Sequence, residues 1–225
     1  MSGSYHLDPD RYSLWEFEDN LASRQMSPSR VILKEKLAAR FEKLRAHDLE
    51  NLGDLLQALK TKSKIAALAK KSGIPERYLI ILNREAKSYL PKPVRLDQFS
   101  GFSPSVIQAL RDQGITHSRH LFERAQNPEE RAELSRKTGI SMELITELLC
   151  LSDLVRLYGF GPVFARMFYD LGIRTVKEVQ EYKPEEIVEI YQKETGRKAD
   201  FSAADIQFSL DLARALDLAV DLGTE

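Results

Sequence analysis

Residues 154–175 read LVRLYGFGPVFARMFYDLGIRT, and no other stretch of the chain constrains the architecture as strongly. Apolar residues recur at helical spacing on both sides of the GFGP sequence at residues 159–162, which ends one helix and begins another. Glycine adopts a positive φ without steric cost, and proline is favoured at the first position of a helix. Gly172 is placed to end the second helix, and Thr175 with Glu178 forms a capping box for a third. The stretch therefore predicts helices joined by a tight hairpin.

The start of the helix after GFGP is a predicted anion-binding site. The backbone N–H groups of Gly161, Val163 and Phe164 lie at the helix N-terminus, where the helix offers them no acceptor. The helix macrodipole adds partial positive charge there, and the absence of a Cβ at Gly159 and Gly161 opens the backbone to a ligand. Phosphate commonly uses such sites, so a nucleic acid bound here would be held by its backbone, with little dependence on base sequence.

The same residues resemble the helix-hairpin-helix motif. GFGPVFA at residues 159–165 is similar to its G-h-G-x-x-x-A core, and FYDLGIRT at residues 168–175 is similar to the hairpin of the X family of DNA polymerases. The resemblance implies phosphate binding by hairpin amides, with a monovalent cation at Gly159–Gly161 when DNA is bound. Arg166 is a further candidate DNA contact on the helix that follows. Val163 and Phe164 depart from the motif, because DNA-binding hairpins often carry Lys or Arg there.

Three segments of the chain share this pattern. LRAHDLEN at 44–51, LRDQGITH at 110–117 and FYDLGIRT at 168–175 follow one another at intervals of 66 and 58 residues. The fold class is therefore predicted to be all-α, with three tandem helix-hairpin-helix-like units of about 60 residues and four helices each. The hairpin decays towards the N-terminus. Gly101 and Ser103 keep a second candidate anion site, whereas residues 35–37 have no glycine and are predicted to lie inside a continuous helix.

The predicted organisation has four parts. They are an N-terminal arm (residues 1–29), a basic degenerate unit (30–95), a second unit (96–153) and a third unit (154–225). The arm is predicted to carry a short helix over residues 14–25, with Trp15, Phe17 and Leu21 on its apolar side. KSYLPKP at residues 87–93 is the clearest linker, because its two prolines stop a helix.

Over roughly residues 37–218 the layout resembles a bacterial family built from helix-hairpin-helix units, the domain of unknown function 4332. The GFGP hairpin, the Thr-Gly-Ile turns and the Leu-x-Gly-Ile-x-Thr helix ends carry this resemblance. It implies the fold and a link to nucleic acid, and it implies no particular activity.

Charge is distributed unevenly along a chain whose net charge is only −1. Residues 30–95 hold 16 basic and 7 acidic groups, a net charge of +9, whereas residues 96–225 carry −7. The candidate phosphate contacts in the basic segment are Lys60, Lys62, Lys64, Lys70 and Lys71. Two interpretations follow from this asymmetry: the segment faces a polyanion, or it docks on the acidic remainder of the protein.

Other function classes find little support in the sequence. There is no phosphate-binding loop with lysine, no Asp-x-Asp after a strand and no Ser/His/Asp order, so no enzyme and no catalytic residue is predicted. His117 and His120 lack the accompanying ligands of a metal site. The single cysteine, Cys150, and the absence of a long apolar run predict a cytoplasmic protein that does not enter a membrane.

Two functions follow from these patterns. The first is a non-enzymatic module that binds nucleic acid, DNA in preference to RNA, through hairpin amides and the basic segment, with little dependence on base sequence. The alternative is a protein-interaction scaffold that retains the fold without binding nucleic acid.

Overall fold

A computed structural model describes residues 3–223, which contain thirteen α-helices and no β-strand. The helices are α1 Leu14–Ser23, α2 Leu37–Arg45, α3 Leu52–Ala58, α4 Lys62–Ser72, α5 Glu76–Ser88, α6 Pro104–Asp112, α7 Ser118–Phe122, α8 Pro128–Thr138, α9 Met142–Leu154, α10 Pro162–Asp170, α11 Val176–Val179, α12 Pro184–Thr195 and α13 Ala203–Arg214. The predicted all-α class is confirmed.

The described chain divides into two compact units. Leu7–Leu90, with α1–α5, is called here the N-terminal unit, and residues 3–6 with 91–223, carrying α6–α13, are called the C-terminal unit. In the N-terminal unit, α1 contributes to the core, because the ring of Phe17 lies 5.8 Å from that of Phe41 and 5.1 Å from that of Tyr89. In the C-terminal unit, α9 is buried along most of its length.

Helices α2, α6 and α10 end in the same way. After α2, α6 and α10 the chain adopts a positive φ at Asp48, Gly114 and Gly172. The next N–H in each case donates to the carbonyl five residues back, at 3.4, 2.9 and 2.9 Å respectively. This bond satisfies one of the last carbonyls of the helix, and aspartate tolerates the left-handed conformation that glycine adopts freely. Superposition of the three segments stays a prediction.

The prediction of a continuous helix through residues 35–37 is wrong. A 3-10 turn covers Val31–Lys34, Lys36 adopts a left-handed conformation with φ of 50°, and α2 begins at Leu37. The turn is fixed by tertiary contacts, because Leu33 is buried and its carbonyl accepts a hydrogen bond from the Tyr78 hydroxyl at 3.1 Å. No glycine or proline marks it in the sequence.

Helix α1 begins with a Ser13–Glu16 capping box, is two residues shorter than the predicted range 14–25, and differs in which side chains face inward. Leu14, Phe17 and Leu21 are buried, whereas the side chain of Trp15 is 64% exposed. The guanidinium of Arg45 lies 3.5 Å from the centre of the Trp15 ring. This cation–π contact holds the indole on the surface, where the sequence pattern had placed it in the core.

Candidate functional site

The GFGP hairpin follows α9 and positions the start of α10. Gly159 has a φ of 85°, a backbone conformation that residues with a side chain rarely adopt, so this position favours glycine. Gly161 is extended, with φ of −78° and ψ of 174°, and serves as the N-cap residue of α10. Pro162 takes the first helical position, as predicted.

Two free amides, rather than the three predicted, lie at this helix N-terminus. The Gly161 N–H already donates to the Gly159 carbonyl at 3.1 Å, because the hairpin closes on itself. Within residues 3–223, the N–H groups of Val163 and Phe164 have no acceptor, and Gly161 offers no side-chain cap. The Val163 side chain is 85% exposed beside them. An anion could therefore accept hydrogen bonds from these two amides only.

An aromatic cluster holds the hairpin in place. The Phe164 ring lies 4.7 Å from that of Phe160, 4.8 Å from that of Phe168 and 5.6 Å from that of Phe201. Phe164 therefore contributes its amide to the candidate site, while its ring belongs to the packing. Tyr169 is half-buried, and burial raises its pKa.

Arg166 is already paired within the C-terminal unit. Its guanidinium lies 2.7 Å from the Glu147 carboxylate and 3.3 Å from that of Asp170, and it donates to the Ser100 carbonyl at 2.8 Å. It also packs against Gly101, where a Cβ would lie 3.2 Å from it. Arg166 thus connects the two hairpins of this unit, and its charge is largely neutralised.

The second hairpin, at residues 101–104, also has a glycine with positive φ, but the helix that follows it begins differently from α10. Gly101 has a φ of 95° and α6 begins at Pro104. Ser103 caps the helix, because its hydroxyl accepts the Val106 N–H at 3.4 Å and bonds to the Ser105 hydroxyl at 2.8 Å. The N-terminus of α6 is therefore capped by a side chain, whereas the N-terminus of α10 has no side-chain cap.

The five candidate lysines are all exposed. None has an ion pair within the described part of the chain, although the Lys64 ammonium donates to the Gln57 carbonyl at 3.0 Å. Lys64 and Lys71 share one side of α4, but Lys62 and Lys70 lie on the other side by helical geometry. Four of the lysines therefore lie around the exposed surface of α4, with Lys60 two residues before the helix, and the five do not form a single row.

Lys43 is a further cation that the sequence analysis did not single out. Its ammonium comes within 3.6 Å of the position of a Cβ at Gly73, directly after α4. Lys43 belongs to α2, so the helical spacing that relates the lysines of α4 to one another does not include it.

Cys150 is buried, and His117 caps a helix. Burial raises the pKa of the Cys150 thiol to about 12, so it stays protonated and unreactive at neutral pH. His117 caps α7 by accepting the His120 N–H at 3.4 Å. Among residues 3–223, no cluster of three or more His, Cys, Asp or Glu residues could hold a metal ion. No helix in this range has both the length and the apolar character required to cross a bilayer.

The match to a known family includes the hairpins and leaves out the lysines. Residues 100–207 match the model of the family described as Domain of unknown function (DUF4332). The DUF4332 match begins one residue before Gly101, includes the GFGP hairpin and ends within α13. No curated protein and no solved structure matches the chain. The basic surface of α4 thus lies outside the part of the chain that resembles DUF4332.

Proposed function

We propose that this protein is a non-enzymatic nucleic-acid-binding module whose main contact is the lysine surface of α4. The observation that supports the proposal is a set of five exposed lysines in a segment of net charge +9, none of which pairs with a carboxylate among residues 3–223. Phosphate contacts by lysine release condensed counterions, which contributes most of the affinity in binding that does not depend on base sequence.

Two exposed cations of α7 and α8 behave differently, and this contrast supports the proposal. On α8, Lys137 pairs with Glu133 at 2.6 Å, and on α7 Arg119 pairs with Glu123 at 2.6 Å. Partial neutralisation of this kind is ordinary for a solvated surface. The lysines of α4 lack it, so their charge is available to a polyanion.

The GFGP hairpin supplies a secondary contact in this proposal. The free amides of Val163 and Phe164 would donate hydrogen bonds to one phosphate, and a monovalent cation would join Gly159–Gly161 only when DNA is bound. The resemblance of this hairpin to helix-hairpin-helix proteins, including X-family polymerases, favours DNA over RNA.

Replacing Lys62, Lys64, Lys70 and Lys71 together by glutamine is expected to flatten the salt dependence of binding. Each lost phosphate contact lowers the slope of log affinity against log salt by about one unit, so a reduction of roughly two to four units is expected. Fluorescence anisotropy with labelled single- and double-stranded DNA and RNA, titrated over salt concentration, measures this slope. All base sequences should weaken about equally.

A control with the same change of net charge comes from the third segment. It replaces the exposed Lys177, Lys193, Arg197 and Lys198 by glutamine and should leave the slope nearly unchanged. An equal loss of slope in the control would refute a specific role for α4. If the wild-type protein binds no nucleic acid even at low salt, the proposal fails and the scaffold alternative takes its place.

Gly161→Ser is expected to weaken the hairpin contact without harming the fold. A serine N-cap would accept the Phe164 N–H, as Ser103 accepts that of Val106, and would stabilise α10 by a few tenths of a kcal/mol. A Cβ at Gly161 would meet no atom of the described residues within 4 Å, so the substitution fits. DNA affinity should fall while the melting temperature holds or rises. Unchanged affinity in the folded variant would remove the hairpin from the proposed interface.

A specific observation favours the alternative, a protein-interaction scaffold. The exposed apolar side chain of Val163 stands beside the two free amides, where a cationic residue would serve phosphate binding better. A partner's carboxylate and an adjacent apolar group would fit the same place.

A further inference from the structure

A groove in the N-terminal unit lies between α3 and α4. It is open, with a volume of about 340 Å³, and is called here the basic groove. Leu49 and Leu68 are nearly buried among its lining residues, while Lys64 and Lys71 are exposed. Asp54, its one acidic lining residue, is committed to the capping box of α3. The groove thus combines an apolar floor with a positively charged rim.

The C-terminal unit has a groove at the corresponding place, between α7 and α8, called here the sister groove. Its volume is about 310 Å³, and seven of its eight lining residues lie 66 positions after lining residues of the basic groove. Leu134 corresponds to Leu68, but Glu130 corresponds to Lys64 and Glu133 to Ala67. The same backbone arrangement therefore carries two glutamates in place of Lys64 and Ala67, while Lys137 corresponds to Lys71.

Cationic side chains of the sister groove are bound by other groups of the same groove. Lys137 pairs with Glu133 at 2.6 Å, and Arg124 donates to the Gln113 carbonyl at 2.7 Å. In the basic groove, alanines replace both Arg124 and Glu133, so neither contact forms. Lys64 donates to the Gln57 carbonyl at 3.0 Å, and among residues 3–223 neither Lys64 nor Lys71 pairs with a carboxylate.

Lys64 occupies a position where α8 and α12 have glutamate. Glu130 in α8 and Glu186 in α12 are third in their helices and accept the N–H of the N-cap residue. In α4 that position is Lys64, and Lys62 adds a second cation to the first turn. Positive charge at a helix N-terminus opposes the macrodipole, so α4 forgoes local stability there. Such departures are expected at functional positions.

We propose that the basic groove binds an acidic amphipathic helix from a protein partner. Lys64 and Lys71 are two helical turns apart, about 10.5 Å, so carboxylates seven residues apart on a partner helix would pair with both. Leucine-sized side chains between those carboxylates would cover Leu49 and Leu68. No aromatic residue lines the groove, so it offers no stacking platform for bases, and a nucleic acid would leave its apolar floor uncovered. This proposal goes beyond nucleic-acid binding, which requires only the charge of α4.

The test uses the full-length protein and a fluorescein-labelled 14-residue alanine-rich peptide. The peptide carries glutamate at its third and tenth positions and leucine at its sixth and seventh, and a second peptide has glutamine for glutamate. Saturable binding of the first peptide, read by anisotropy, and weaker binding of the second are expected. Absence of saturable binding would overturn the proposal.

Two double variants with the same charge change locate the binding. Lys64→Gln with Lys71→Gln removes the rim of the groove, and Lys62→Gln with Lys70→Gln removes two lysines from the other side of α4. The first is expected to weaken peptide binding about tenfold, because two ion pairs are lost, and the second by less than about threefold. Equal losses would indicate non-specific attraction and overturn the proposal.

Lys64→Glu with Ala67→Glu transfers the residues of the sister groove into the basic groove. The fold already holds glutamate at both corresponding positions, so the melting temperature is expected to hold or rise while peptide binding is lost. Retained peptide binding in this variant would overturn the proposal.

A labelled 20-nucleotide single-stranded DNA separates this inference from the proposed function. Equal weakening of DNA binding by both double variants, together with selective weakening of peptide binding by the first, would support both proposals. Dependence of DNA binding alone on Lys64 and Lys71 would identify the groove as a nucleic-acid site and overturn the peptide proposal. Peptide binding without any DNA binding would leave the groove supported and refute the proposed function.

Discussion

Replacing Arg156 by alanine is expected to lower the free energy of unfolding of the C-terminal unit by about 3–5 kcal/mol. Arg156 is fully buried and pairs with the buried Asp153. It also donates to the carbonyls of Tyr5 at 2.8 Å and Asp217 at 2.9 Å, and its guanidinium lies 4.2 Å from the centre of the Phe122 ring. Its removal leaves the buried Asp153 carboxylate without its cation and leaves the carbonyls of Tyr5 and Asp217 without this donor.

Chemical denaturation followed by far-ultraviolet circular dichroism measures this loss. Arg119→Ala is the matched control, because it breaks an exposed pair with Glu123 and should cost less than about 1 kcal/mol. Replacing Asp153 and Arg156 together by leucine and methionine should cost less than Arg156→Ala alone, since no charge is left buried. Equal losses in the Arg156 and Arg119 variants would contradict this account.

Glu85→Ala is expected to destabilise the N-terminal unit by a similar amount, about 3–5 kcal/mol. The Glu85 carboxylate is fully buried and contacts the guanidinium groups of Arg24 and Arg30. Without it, two cations are left together, one of them, Arg24, nearly buried. Glu85 is therefore the counter-ion that allows two arginines to approach each other inside this unit.

The fluorescence of Trp15, the only tryptophan of the chain, complements circular dichroism because α1 belongs to the N-terminal unit. The matched control is Glu35→Ala, which removes a carboxylate 62% exposed and 3.9 Å from Arg40, and should cost less than about 1 kcal/mol. A Glu85→Ala variant as stable as this control would show that the buried cluster contributes nothing.

Features that depend on neighbouring residues could be predicted from the sequence. The starts of α6 and α10 at Pro104 and Pro162 and the positive φ at Gly172 follow from one or two residues each. The Thr175–Glu178 capping box was read from a four-residue pattern and is present. The exposure of the α4 lysines also followed from their polarity.

The candidate site was only partly predictable, because its availability depends on partners distant in sequence. Arg166 is taken up by Glu147 and by the carbonyl of Ser100, 66 residues earlier. The Gly161 amide is taken up by its own hairpin, which requires the closed backbone geometry. The correspondence between the basic groove and its sister emerged only when α3 and α4 were compared with α7 and α8 in space.

By itself, the sequence determined the all-α class, the GFGP hairpin and the uneven charge, because helix signals and composition act over a few residues. Only the tertiary structure decided that Lys36 adopts a left-handed conformation just before α2. It also decided that Trp15 faces outward against Arg45, and that Lys64 and Lys71 form the rim of a groove. These outcomes depend on contacts between residues far apart along the chain, and such contacts leave no periodic pattern in the sequence.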